Sequence, residues 1–135
     1  MNLVIDTFAW IEILRESPQG YAARVAIESA DRCLTPSVVL AEVASACLRD
    51  GFSDELILEE LLAIREASEV VPIEAGIALA ASHCVQELRS RAKAQKRAPP
   101  GIADGLVLAT ARQNSAGILT GDSHFSELPG TVWLG

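Results

Sequence analysis

The sequence predicts an α/β fold, three layers deep, with a parallel sheet between helices. Short apolar segments at residues 2–5, 33–35, 70–73, 117–121 and 131–134 read as strands, too apolar for a sheet with a solvated face. Each is separated from the next by helical segments or a tight connection, as right-handed crossovers between parallel strands require. Half of the 135 residues are hydrophobic and the mean hydropathy is +0.27, enough to bury a core in one compact domain spanning residues 1–135.

Asn2-Leu3-Val4-Ile5 forms the first strand, and Thr7 is placed to cap a helix carrying Phe8, Trp10, Ile11 and Leu14 that stops before Pro18. A second helix over residues 20–30 presents Tyr21, Val25 and Ile27. After the strand Cys33-Leu34-Thr35, the pair Thr35-Pro36 has the form of a helix start, a capping hydroxyl followed by proline in the first turn. That helix runs to Asp50. Ser53 then opens an amphipathic helix with Leu56, Ile57, Leu61 and Ile64 on one face and Asp54, Glu55, Glu59 and Glu66 on the other. A strand at residues 70–73 and an alanine-rich helix over 74–96 follow, broken at Ala98-Pro99-Pro100-Gly101. Residues 102–113 are helical, 117–121 a strand, 123–127 a turn or short helix, and 131–134 the last strand.

The longest run without a charged residue is twelve residues (75–86), short of the ~20 that span a bilayer. The N-terminal MNLVID has no basic segment of the kind that opens a secretory signal. Three scattered cysteines, Cys33, Cys47 and Cys84, fit reduced thiols in a cytoplasmic protein better than a disulfide or zinc framework.

The net charge of −7 argues at first against nucleic acid. The acids are unevenly placed, however. Residues 1–68 carry 12 acids and 5 bases, residues 69–135 six of each, and five bases fall between positions 89 and 97.

Four acids stand alone in apolar surroundings. Asp6 is the only charge in residues 1–11, Glu42 the only one between Arg32 and Arg49, Asp104 between Arg97 and Arg112, and Asp122 between Arg112 and Glu127. Such segments should be mostly buried, where a lone carboxylate costs several kcal/mol unless paired, protonated or metal-bound. Asp6 and Asp104 also suit helix starts and Asp122 suits a turn, whereas Glu42 has neither excuse; pairing with a buried Arg is its remaining alternative. In an open parallel sheet, strand C-termini and helix N-termini share one edge. Asp6 and Asp122 end strands there, Asp104 starts a helix there, and Glu42 reaches back from about two turns (~9 Å) into its helix. With strand order 3-2-1-4-5, all four converge. Oxygen ligands alone suit Mg²⁺ or Mn²⁺, ions that generate a hydroxide nucleophile and neutralise charge on a phosphodiester.

The four neighbourhoods, VIDTFAWIE, TPSVVLAEVASA, IADGLVLATA and ILTGDSHF, occur in the order found in PIN-domain nucleases, and the chain resembles that family, in particular the VapC-type ribonuclease toxins of toxin–antitoxin pairs. The resemblance implies a five-stranded parallel sheet of order 3-2-1-4-5, Mg²⁺- or Mn²⁺-dependent cleavage of RNA, and a cognate antitoxin. It assigns the metal to Asp6, Glu42, Asp104 and Asp122, with Thr120 as a supporting polar residue. Phe8 departs from the Ser or Asn common in the family, so that polar contact is either absent or supplied by Thr7, and Gly105 stands where Ala is common.

Arg89, Arg91, Lys93, Lys96 and Arg97 form either a solvated helix end or an RNA-backbone contact beside the pocket. His124 reads as a surface-turn residue or a phosphate contact, and His83 as a partly buried core residue. Trp10 and Trp133 read as core or interface aromatics. The apolar faces of the helices over 36–50 and 53–68 lead us to expect a homodimer. Alternatives are a PIN nuclease of RNA processing rather than a toxin, or a non-catalytic acidic pocket that captures a basic partner segment. A phosphatase using paired aspartates would need a second Asp where Phe8 stands.

Overall fold

A computed structural model describes residues 1–135. Five strands, β1 (Asn2–Ile5), β2 (Arg32–Pro36), β3 (Glu69–Val71), β4 (Gly117–Thr120) and β5 (Thr131–Trp133), form one parallel sheet in the order β3-β2-β1-β4-β5. Six helices connect them: α1 (Thr7–Leu14), α2 (Pro18–Ser29), α3 (Ser37–Arg49), α4 (Asp54–Ala67), α5 (Ala75–Ala94) and α6 (Ile102–Gln113). Right-handed crossovers from β1 to β2 to β3 put α1–α4 on one face, and the return step to β4 puts α5 and α6 on the other. The core lies where these layers meet: Val4, Ile5, Leu34 and Leu119 of the sheet, Val39 and Val43 of α3, and Leu88 of α5 are all fully buried.

The order of elements agrees with the sequence reading, and the differences lie in the caps. Asp6, not Thr7, caps α1: its Oδ1 accepts the Ala9 N–H at 3.0 Å. The second helix begins at Pro18 rather than residue 20, because Ser17 caps it and proline is tolerated in a first turn. Thr35 does not cap α3. Its buried hydroxyl accepts from Trp10 Nε1 at 3.2 Å and shares a 2.7 Å hydrogen bond with Ser68, tying α1 to β2 and the end of α4. Ser53 caps α4 as expected. His83 is exposed on α5 rather than in the core, and Trp133 is 45% exposed, whereas Trp10 is buried. No helix is long and apolar enough to cross a membrane.

Strand order matters here for one reason. The chain moves outward from β1 in one direction and returns to add β4 on the other side, so β1 and β4 are neighbours at the reversal. Ile5 is in register with Leu119, and the Asp6 amide continues the ladder to the Leu119 carbonyl at 3.4 Å. The crevice at such a reversal is where ligands bind in open α/β sheets.

Candidate metal centre

Asp6 sits one residue past β1, Asp122 two past β4, Asp104 in the first turn of α6 and Glu42 in the second turn of α3. Asp6, Thr7, Phe8, Glu42, Asp104, Val107 and Asp122 line one cavity of about 300 Å³. The four acids differ in burial, contrary to the expectation that all would be largely hidden. Asp6 is 4% exposed, Asp104 and Asp122 are half-buried, and Glu42 is exposed because its turn of α3 borders the open cavity.

Three of the acids spend one oxygen on the backbone. Asp6 Oδ1 accepts from Ala9 N, Asp104 Oδ2 from Gly101 N at 3.3 Å, and Asp122 Oδ1 from His124 N at 2.9 Å. The helix-start and turn roles read from sequence are therefore real, and they orient each carboxylate instead of using it up. Asp6 Oδ2 accepts from the Thr120 hydroxyl, which in turn accepts from the Asp122 amide at 2.9 Å. Thr7 Oγ1 donates to Glu42 Oε1 at 2.6 Å, so α1 also steers the acid of α3.

Phe8 explains a glycine. A side chain on Gly121 would meet the Phe8 ring at 2.3 Å, so Thr120-Gly121-Asp122 leaves the strand with the ring packed close against its backbone.

Electrostatics follow from this crowding. Burial pushes the Asp6 carboxyl up from 3.8 to about 7, opposed by the bonds from Thr120 and Ala9 and reinforced by Asp122 and Asp104. Burial and the neighbouring Asp122 raise Asp104 to about 6. Converging carboxylates held this way repel one another, and a cation between them would relieve the repulsion. A second sign is His124 Nδ1, a buried atom with no hydrogen-bond partner, 3.1 Å from Asp122 Oδ1 and 3.6 Å from Asp104 Oδ2. Oxygen-rich donors plus one orphaned nitrogen fit a hard or borderline divalent ion such as Mg²⁺ or Mn²⁺.

The basic segment is only partly free. Arg89 Nε donates to the Pro100 carbonyl at 3.2 Å, Arg97 to the Ser123 carbonyl at 2.7 Å, and Arg91 lies 3.9 Å from Glu127. Arg89 and Arg97 thus brace the loops that present Asp104 and Asp122, while Lys93 and Lys96 are exposed without an ion pair. Sequence reasoning missed a second cation pair. A cavity of about 490 Å³ between α1 and α3 shares Thr7, Phe8 and Glu42 with the acidic pocket and runs to Arg15 and Arg49. Nothing in the local sequence distinguished these arginines from ordinary surface charges.

The PIN-domain family matches residues 3–130. This chain belongs to the PIN-domain family. No curated protein matches it at the sequence level. Among solved structures, it is similar to a toxin–antitoxin complex from Klebsiella pneumoniae, with TM-score 0.70, 17% identity and 98% of each chain covered. VapC20 of Mycobacterium tuberculosis, a toxin that cleaves the sarcin-ricin loop, gives 0.70 at 17% identity over 96% of each chain. VapBC2 of Rickettsia felis, bound to a promoter DNA fragment, gives 0.67 at 18%, covering 98% of this chain and 97% of that one. At these identities the shared property is the fold, and this PIN domain has the sheet order of that fold.

Proposed function

We propose that this PIN domain is a Mg²⁺-dependent endoribonuclease, with Mn²⁺ able to substitute, and the toxin of a VapBC-type pair. The observation that carries the reading is the convergence of Asp6, Glu42, Asp104 and Asp122 on one cavity at the β1–β4 reversal of a PIN-family chain. When bound there, a divalent cation supplies Lewis acidity toward water and the phosphodiester. The chain's own part is placement. Asp6 is held by two hydrogen bonds in a buried niche, Asp104 and Asp122 are held by backbone amides, and Glu42 is steered by Thr7 from the exposed side. Cleavage by attack of water leaves 3′-hydroxyl and 5′-phosphate ends.

Similarity to toxin–antitoxin complexes supports an antitoxin partner, whose basic segment would neutralise the acids, and similarity to a toxin that cleaves the sarcin-ricin loop, together with membership of a nuclease family, supports RNA as substrate. We place the protein in the cytoplasm, where such a substrate and three free thiols belong. Leu58 and Leu62 on α4 are 61% and 57% exposed, which supports a homodimer; a monomer by light scattering at micromolar concentration overturns that part.

The test is RNA cleavage with Mg²⁺ or Mn²⁺, in EDTA, and by Asp104→Asn. Cleavage should need the ion and vanish in a variant with unchanged circular dichroism. Full activity in EDTA or in Asp104→Asn overturns the proposal.

A further inference from the structure

His124 lies two residues past Asp122 in the single 3₁₀ turn Ser123–Phe125. Its Nε2 is 2.8 Å from the Ala98 carbonyl oxygen. A carbonyl can only accept, so Nε2 carries the hydrogen. In a neutral ring the lone pair is then on Nδ1. That atom is buried, makes no hydrogen bond, and faces Asp122 Oδ1 at 3.1 Å and Asp104 Oδ2 at 3.6 Å. With the ring neutral, three electron-rich atoms lie within reach of one another and repel. A cation among them turns the repulsion into ligation.

We propose that His124 Nδ1 is a ligand of a divalent cation held by Asp104 and Asp122, making the centre of this protein a mixed nitrogen and oxygen site. The inference rests on the metal-dependent reading above and adds to it a donor of a different chemical class. One atom from each of the three residues can be chosen so that all lie within 4.8 Å of one another. The bond from Nε2 to a backbone carbonyl is the arrangement that ordinarily fixes the tautomer and orientation of a metal-binding histidine. Arg97, bonded to the Ser123 carbonyl, joins the same two segments, so residues 97–98 and 123–124 hold each other in place. An imidazole donor shifts preference from Mg²⁺ toward Mn²⁺.

The experiment is pulsed electron paramagnetic resonance of the Mn²⁺-loaded protein, read as ¹⁴N modulation of the echo. The chain has two histidines, so His83→Gln leaves His124 as the only one. Expected are histidine-type nitrogen modulation in the wild type and in His83→Gln, its replacement by a ¹⁵N pattern on histidine labelling, and its loss in His124→Ala. The labelling arm gives the assignment even if His124→Ala fails to fold. Bound Mn²⁺ without histidine modulation, as an imidazolium paired with Asp122 would give, overturns this proposal and leaves the nuclease reading intact. Persistence of the modulation in folded His124→Ala overturns it as well. Failure to bind Mn²⁺ at all overturns both.

Discussion

Thr120, the last residue of β4, donates its hydroxyl proton to the carboxylate of Asp6, the first residue past β1. The same oxygen accepts the Asp122 amide at 2.9 Å, so one fully buried side chain fixes two of the proposed metal ligands. Thr120→Val keeps the shape and removes both bonds. Leaving a buried donor and acceptor unpaired costs roughly 1–3 kcal/mol. The Thr120 bond also holds the Asp6 carboxyl below the value its burial alone would set. We expect the variant to melt at lower temperature and to bind Mg²⁺ more weakly at neutral pH. An unchanged Mg²⁺ titration would show that this bond does not prepare the site.

The raised carboxyls set a pH dependence with a definite sign. Between the ordinary value of 3.8 and about 7, folded Asp6 binds a proton that the unfolded chain has released. Stability therefore falls as pH rises through that window, and Asp104, raised to about 6, acts in the same sense. For Asp6 the full effect is on the order of 4 kcal/mol at about 1.4 kcal/mol per pH unit. A divalent ion binds the deprotonated acids and reverses the loss. The measurement is the difference in melting temperature between saturating Mg²⁺ and EDTA, which cancels contributions from carboxylates elsewhere. It should grow from pH 5 to pH 8. A difference that stays flat across that range would contradict the raised values.

How much of this was readable in advance depended on whether the signal was local. Strand and helix order followed from apolar runs and from breakers such as Ala98-Pro99-Pro100-Gly101, and the four acids stood out because each is alone among apolar neighbours. Capping was less legible. Asp6 and Thr7 both suit a helix start, and only the third dimension, where Thr7 turns to Glu42, separates them. Thr35 looked like a cap until Trp10 and Ser68, distant in sequence, claimed its hydroxyl. The exposure of Glu42 was not legible either, since an apolar run along a helix does not say which turn meets an open cavity. His124 and Arg97 find their partners 26 residues away, beyond the reach of any local pattern.

Gly105 is a case where a departure from the family's usual alanine has a structural cause. A side chain there would lie 2.4 Å from the Ala81 carbonyl and 3.0 Å from Val85 Cβ, so its absence lets α6 close on the backbone of α5. Gly105→Ala gains up to about 1 kcal/mol of helix propensity. The clash with an immovable carbonyl costs more, typically about 1–3 kcal/mol for overpacking. Because α6 must shift and Asp104 is the preceding residue, metal affinity should fall together with melting temperature. A variant that melts higher than the wild type would show that α5 and α6 have room to spare.

Arg49 tests the path of the substrate. It lines the cavity that continues from the acidic pocket between α1 and α3. Arg15, at the same end, is drawn toward Glu12 at 3.5 Å and Asp50 at 3.8 Å, whereas Arg49 makes no ion pair. An unpaired arginine beside a groove that leads to a proposed metal centre is suited to a phosphate of the bound strand, as are the exposed Lys93 and Lys96 at the end of α5. Neutralising one phosphate contact changes the slope of log affinity against log salt by about 0.7 for single-stranded nucleic acid. For Arg49→Gln we expect KM for an RNA oligonucleotide to rise, kcat to hold, and the salt dependence of binding to weaken by about that amount. Lys93→Gln is the comparison: if it reproduces the loss while Arg49→Gln leaves binding and salt slope untouched, RNA approaches over the end of α5 and not through the α1–α3 groove.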